Sequence, residues 1–209
     1  MPNRPLVLGL LSILAFLLST NVDAGDRFLL PVKATDRLST DQLVLTPIGK
    51  FGLVRKARLH VPSHLHSGID IKRPNPNYSN EPIYPIAEGI VISKRDDGPY
   101  AQLIIEHNFR GMQFWTLYEH LAGITVDVNS VVSPENPIGR FMNRDELNRY
   151  GWQFDHVHFE VLRLRPMPLQ PNPATPTRFY SSYSLICYSK ADLVRYFYDP
   201  LEFLGERIK

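Results

Sequence analysis

The 209-residue chain is 44% hydrophobic and 21% charged, a composition typical of a globular protein with one sizeable core. Its formal net charge is only +2, so nothing indicates the dominant basic face of a protein that binds nucleic acid. Eighteen prolines favour loops, turns and edge strands over a helical bundle.

Residues 1–24 have the pattern of a secretory signal peptide. Arg4 precedes an apolar run that is too short for a comfortable transmembrane span, and "VDA" at 22–24 resembles a cleavage site. We therefore expect cleavage after Ala24 and export to the periplasm or cell envelope, with secretion as the alternative. After cleavage no stable membrane insertion is expected, whereas an uncleaved segment would act as a membrane anchor.

Cys187 is the only cysteine, so the chain cannot form an internal disulfide. It lies in the apolar run "SLICYS", well away from the histidine-containing segments. This context predicts a small buried side chain rather than a nucleophile.

After an N-terminal arm at 25–49, the sequence predicts a mainly β domain. Several short runs are rich in β-branched and aromatic residues and are bounded by Gly, Pro, Asn or Asp, which is typical of antiparallel strands. These runs are "SGIDI", "IYPIAEGIVISK", "AQLIIEH", "QFWTLYEHL", "ITVDV" and "HVHFEVLRL". Turns are predicted at 96–100 and 108–111.

Two short helices are also predicted. Asn143 can cap "RDELNRY", with Glu146 completing a capping box, and Ser189 can cap "KADLVRYF". The stretch 166–176 contains five prolines and should be irregular.

Two His-x-His pairs, at 64–66 and 156–158, are more than seven histidines would give by chance. In "HVHFEVL", the strand period of two places His156, His158 and Glu160 on one face and apolar residues on the other. If the apolar face meets the core, both imidazoles point into the same space, where they are natural ligands for zinc.

The segment "HSGID" offers partners for these histidines. His66 and Asp70 flank Gly68, which permits a sharp bend, so that a loop histidine and a strand aspartate can converge on one metal. Two histidines and one carboxylate leave a fourth position for water, as in catalytic rather than structural zinc sites. Zinc lowers the pKa of such a water toward about 7.

Six segments, taken in this order, resemble the lysostaphin-type (LytM-like) zinc metallopeptidases, which are peptidoglycan endopeptidases. The segments are "HSGIDI", "AEGIVIS", "IIEHN", "LYEHLAGI", "PIG" and "HVHFEV". The similarity covers roughly residues 50–163, with a similar ending at 198–204. It implies an antiparallel β-sheet groove domain of the duplicated hybrid motif type over 50–204, followed by a tail at 205–209. It also implies one Zn²⁺ per chain and hydrolysis of peptide bonds in peptidoglycan stem peptides or cross-links.

The resemblance assigns roles to five residues. It implies that His66, Asp70 and His158 are the metal ligands, and that His120 and His156 are the catalytic histidines beside the metal.

Other polar residues have weaker assignments. His107 is expected to be structural or to support a ligand, and Tyr118 either lines the cleft or is an ordinary half-buried strand residue. His64 could reach the site, although a solvated loop position is preferred. Glu160 could act as a general base in principle, but it ranks below the histidines.

Three insertions depart from the family pattern, at about 72–81, 140–154 and 164–197, and they are expected to form loops that wall the groove. Two other functions stay open. One is a zinc peptidase acting on a protein substrate. The other is an autoinhibited or regulatory domain that controls other cell-wall hydrolases, with the arm at 25–50 or the helix at 143–150 covering the site. The expected partners are peptidoglycan and, for the regulatory alternative, a protein, but not nucleic acid; a monomer is expected.

Overall fold

A computed structural model of the chain describes residues 27–96 and 98–208. The predicted signal peptide at 1–24 lies outside these residues. Within the described ranges, the helices are all too short or too polar to cross a membrane.

The described residues form thirteen strands and three α-helices. The strands are β1 (Val54–Arg55), β2 (His64–Leu65), β3 (Ile69–Lys72), β4 (Pro82–Ile83), β5 (Gly89–Arg95), β6 (Gln102–Phe109), β7 (Met112–Glu119), β8 (Val131–Val132), β9 (Gly139–Arg140), β10 (His156–Leu162), β11 (Met167–Pro168), β12 (Tyr180–Ser181) and β13 (Phe197–Tyr198). The helices are α1 (Arg144–Tyr150), α2 (Lys190–Tyr196) and α3 (Pro200–Arg207).

The main sheet is antiparallel and has the strand order β13-β10-β7-β6-β5-β8. Strand β10 lies inside this sheet: β7 pairs along one edge, while β3 and β13 share the other edge. The prediction of a mainly β, antiparallel domain is therefore confirmed.

The long hairpin of β6 and β7 turns where the sequence predicted. Arg110 and Gly111 form the connection, and their φ angles are 49° and 83°. Positive φ at both central residues gives the turn the twist that joins neighbouring strands.

The N-terminal arm is part of the core rather than a separate flap. Phe28, Leu30 and Val32 are at most 2% exposed and pack in the main hydrophobic cluster. Farther along, Leu45 bridges to Ile71, so the arm also runs beside β3. Removing the arm would therefore remove core side chains, which argues against its acting as a detachable cover.

Both predicted helices are present with their caps. The Asn143 side chain accepts from the Glu146 amide at 2.9 Å, and the Glu146 carboxylate accepts from the Asn143 amide at 2.7 Å. The same reciprocal pattern joins Ser189 and Asp192 at the start of α2.

Three elements differ from the sequence predictions. Helix α3 was not predicted; it begins after the Asp199 cap, buries Phe203 and continues through the boundary placed at residue 204. The run "ITVDV" forms no strand, and the strand of this region is β8 instead. The proline-rich stretch is irregular except for β11, which pairs with β12.

Gly68 allows β3 to approach β10. A Cβ atom on Gly68 would lie 2.3 Å from the carbonyl oxygen of Phe159, a separation that no real contact tolerates. We expect Gly68→Ala to lower the free energy of unfolding by about 3 kcal/mol, because the strands must separate.

Gly205→Ala is the matched control, since Gly205 lies inside α3 and a Cβ there meets only a hydroxyl at 4.0 Å. It should stabilise the protein by about 0.5–1 kcal/mol. Urea unfolding of both variants measures the difference. Equal stability of Gly68→Ala and the wild type would contradict the close approach.

Candidate metal centre

The pairing of β3 with β10 brings three potential ligands together. His158 lies directly opposite Asp70 in the ladder. His66 lies four residues before Asp70 in the sequence. His158 Nδ1 is 3.0 Å from His66 Nε2 and 3.0 Å from Asp70 Oδ1. His66 Nε2 is 3.1 Å from the same carboxylate oxygen. In the part of the chain that the structure describes, these residues form the one group whose ligand atoms are close enough to share a metal ion.

In His66 and His158, the ring nitrogen that faces away from the shared metal position donates to a fixed acceptor. His66 Nδ1 donates to the backbone carbonyl of Lys50 at 3.0 Å, and His158 Nε2 donates to the Glu160 carboxylate at 3.0 Å. Neither acceptor can donate a proton in return. In the neutral rings, His66 Nε2 and His158 Nδ1 therefore carry the lone pairs.

Two imidazole lone pairs and a carboxylate oxygen consequently point at one another across about 3 Å. Such an arrangement is repulsive unless a cation lies between the three atoms. Zinc is bound by these donor types at about 2.0–2.2 Å, and it commonly takes three protein ligands in catalytic sites. The residues therefore fit zinc.

Without a metal, a proton can take the place of the cation. Burial alone would lower the pKa of His158, but hydrogen bonds to Asp70 and Glu160 outweigh it and raise that pKa to about 10. Burial would raise the pKa of Asp70, yet the hydrogen bonds to His158 and His66 hold it far below its usual value. Because ligands must be deprotonated, metal binding here would displace the proton.

The second oxygen of Asp70 is held by Arg55. Arg55 Nη2 lies 2.6 Å from Asp70 Oδ2, while Oδ1 faces the two histidines. Arg55 belongs to β1, which pairs with β2 just before His66. The ion pair thus leaves one oxygen of the carboxylate directed at the metal position.

His120 and His156 lie beside the three potential ligands. Their ring centroids are 4.8 Å apart, and His156 Nε2 is 3.6 Å from Asp70 Oδ1. His120 Nδ1 donates to the Pro99 carbonyl at 2.6 Å. Burial lowers the pKa of both rings, with that of His156 falling to about 3. The structure therefore brings together all five residues that the sequence singled out.

The backbone at His120 is unusual. Its φ of 65° lies in the left-handed region, which is sparsely populated by residues other than glycine and tends to occur at functional sites. The ring packs against Phe154, at 5.0 Å between centroids, and against Tyr100, at 5.8 Å. Both aromatic residues thus border the centre on its His120 side.

The other polar residues lie elsewhere. His107 is fully buried, stacks on Phe114 and bonds to Glu88 and Thr116, so it is structural. The cleft position considered for Tyr118 is wrong: this residue is also fully buried, and its hydroxyl accepts from a backbone amide.

His64 is neither solvated nor one of the three potential ligands. It is 7% exposed, and its Nδ1 donates to the Pro62 carbonyl at 2.9 Å. It lies in β2, an ordered strand rather than a loop.

Sequence reasoning missed Arg55 and Ser67. Ser67 donates to Glu160 at 2.5 Å, and Arg55 bonds to Asp70. The position of Ser67 next to a ligand was a usable signal. The pairing of β1 with β2, which positions Arg55, left no comparable pattern.

The fold and the convergent donors define a metallopeptidase-like β domain, and sequence comparison gives the family. The profile of peptidase family M23 matches residues 64–171, so the chain belongs to this family. Its members are generally zinc metallopeptidases, and some are cell-wall hydrolases. No curated protein matches the chain.

Several solved structures are similar. A zinc-containing peptidase from Vibrio cholerae is 28% identical, covering 68% of this chain and 39% of its own, with a TM-score of 0.45. Lysostaphin is 17% identical, covering 78% of this chain and 51% of its own, with a TM-score of 0.45. The deep-sea M23 metalloprotease pseudoalterin is 15% identical, and the match covers 84% of this chain and 92% of pseudoalterin, with a TM-score of 0.38. The chain thus spans about two fifths of the Vibrio protein and half of lysostaphin.

Zinc should stabilise the folded protein. At a free zinc concentration of 100 times the dissociation constant, the gain is about 2.7 kcal/mol, visible as a higher unfolding temperature. His66→Ala should abolish this gain because it removes one of the three potential ligands. His60→Asn is the matched control: His60 is exposed with a φ of 60°, which asparagine accepts. Equal stabilisation of His66→Ala and wild type by zinc would rule out this site.

Cys187 should be inert in the native protein. It is 0% exposed, and burial raises the pKa of its thiol to about 12. A disulfide reagent at pH 8 should label it only after denaturation, since the thiolate is the reactive form. Rapid labelling of the folded protein would contradict this burial.

Proposed function

We propose that the chain is a zinc-dependent endopeptidase that hydrolyses peptide bonds in peptidoglycan stem peptides or cross-links. The observation that carries the proposal is the convergence of three acceptor atoms with two further histidines directly beside them. Structural zinc sites are closed by four protein ligands, whereas three donor atoms converge here among the described residues, which suits a metal that keeps one position for water.

Hydrolysis of an amide requires an activated water, stabilisation of an oxyanion and a proton for the leaving amine. Bound zinc would polarise the water and the scissile carbonyl. His66, Asp70 and His158 would hold the metal.

The remaining steps fall to His120 and His156. His120 donates its Nδ1–H to the Pro99 carbonyl in a hydrogen bond, so Nε2 carries the lone pair of the neutral ring. This nitrogen is suited to take a proton from the attacking water. His156 shares the outward face of β10 with His158 and can donate an N–H toward a developing oxyanion.

The exposure of the site favours a thin, extended substrate. The side chains of the ligands and catalytic histidines are only 5–14% exposed. A folded protein surface could not reach them without unfolding locally, whereas a short flexible peptide could. Stem peptides and their cross-links have this form, and the expected export would place the protein beside them.

The test uses purified zinc-loaded protein incubated with isolated peptidoglycan, and mass spectrometry of the released fragments. Wild type and His60→Asn should release peptides whose masses identify the bond cut. A chelator and His66→Ala should abolish release. His120→Ala should slow it by about 10²–10⁴-fold, as for loss of an acid–base group.

Two arms separate the alternative functions. An unfolded protein substrate, cleaved when peptidoglycan is not, would indicate a peptidase for proteins. A folded, zinc-loaded protein that cleaves neither substrate would overturn the enzyme assignment in favour of a regulatory domain.

A further inference from the structure

Glu160 has no part in the proposed chemistry, yet it is one of the most deeply buried charged groups of the domain. It is 1% exposed and lies two residues after His158 on the same face of β10. Its ion-pair partner among the described residues is His158 alone. Burial of a carboxylate costs free energy unless the group is paired and hydrogen-bonded, so its few partners indicate what it does.

The geometry excludes Glu160 as a general base. Its Oε1 atom accepts from His158 Nε2 at 3.0 Å, on the edge of the ring opposite to Nδ1. The metal position faces Nδ1, which is 3.0 Å from Asp70 Oδ1. The His158 ring therefore stands between Glu160 and the reacting groups, and Glu160 can act only through that ring.

We propose that Glu160 is a positioning residue, which holds the proton of His158 on Nε2 so that the Nδ1 lone pair faces the metal. A neutral imidazole can carry its proton on either nitrogen. A carboxylate that can only accept selects the tautomer with Nε2 protonated. It also fixes the rotation of the ring, which a lone histidine on an open strand face would not keep.

Ser67 completes the arrangement. Its hydroxyl donates to the same Glu160 oxygen at 2.5 Å, and it is 2% exposed. Because Ser67 follows the ligand His66, this hydrogen bond ties the segment of one ligand to the orienting group of another. Two residues of the "HSGID" segment therefore support this contact. Ser67 donates to Glu160, and Gly68 lets the segment lie close enough to β10 for that hydrogen bond to form.

The proposal predicts a loss of zinc affinity when Glu160 is replaced. Glu160→Ala should weaken zinc binding about 10- to 100-fold, as is typical when the partner of a ligating histidine is lost. Glu160→Gln keeps an acceptor and should lose less. Metal-free Glu160→Ala should itself unfold at a lower temperature, because removing one partner of a buried, hydrogen-bonded pair leaves the other without its counterpart. Zinc affinity is therefore measured at a temperature where circular dichroism shows the variant to be folded.

Thr116→Ala is the matched control. It removes an equally buried hydrogen bond to a histidine, between Thr116 Oγ1 and His107 Nε2 at 2.7 Å, on the strand next to β10. It should leave zinc affinity unchanged, because His107 is not a ligand.

Zinc affinity is measured by competition with a chelating dye, without any substrate. The proposal rests on the proposed zinc site but not on peptidoglycan cleavage, so either can fail alone. Two-bond ¹H–¹⁵N spectra of the zinc-loaded protein provide a second measurement, and should show the proton of His158 on Nε2. If Glu160→Ala does not fold, the test uses Ser67→Ala instead. This variant should lose less zinc affinity than Glu160→Ala would, because Glu160 itself remains.

Three results would overturn the proposal. The first is wild-type zinc affinity in Glu160→Ala, or in Ser67→Ala where that variant decides. The second is a loss of affinity that Thr116→Ala reproduces. The third is a spectrum that places the proton of His158 on Nδ1.

Discussion

The antiparallel pairing of β3 with β10 is the constraint on which the site depends. It sets His158 opposite Asp70 and carries His66 to the same point. A slip of one residue would turn every side chain of β10 to the other face, because successive side chains alternate. The ladder is held in register from both sides, since Val157 and Phe159 are fully buried in the core and β7 pairs with the other edge. Packing of the apolar face thus fixes where the polar face points.

The charges around His66, Asp70 and His158 are consistent with the catalytic role that we propose. Asp70 and Glu160 are negative, Arg55 is positive, and a protonated His158 would balance them in the metal-free protein. Zinc with a neutral His158 would instead leave one net positive charge in a nearly buried site. A fixed positive charge in a region of low dielectric favours a transition state that develops negative charge. Arg55 raises that excess charge and, by occupying one oxygen of Asp70, keeps the other free.

The parts of the site that follow local patterns could be predicted from sequence. The alternation in "HVHFEVL" requires only that one face of a strand be apolar, and it placed His156 and His158 together. The Asn143 capping box is equally local. Contacts between distant segments leave no such pattern in the sequence. Arg55 contacts Asp70 only because the two-residue strands β1 and β2 pair. Tyr118 was expected to be half-buried or to line the cleft, but it is fully buried, with its hydroxyl accepting from the backbone amide of Ile86.

Two of the three insertions form one structure that is joined to the catalytic side of the centre. Tyr78, from the first insertion, packs edge-on against Trp152 of the second at 5.6 Å, and Arg73 binds Asp155 at 2.8 Å. Asp155 immediately precedes His156, and Phe154 contacts the ring of His120. The sequence predicted that these segments would wall the groove, with the helix at 143–150 covering the site in the regulatory alternative. Their contacts show a closer connection, because Asp155 and Phe154, next to His156 and His120, are themselves bound or packed by these segments.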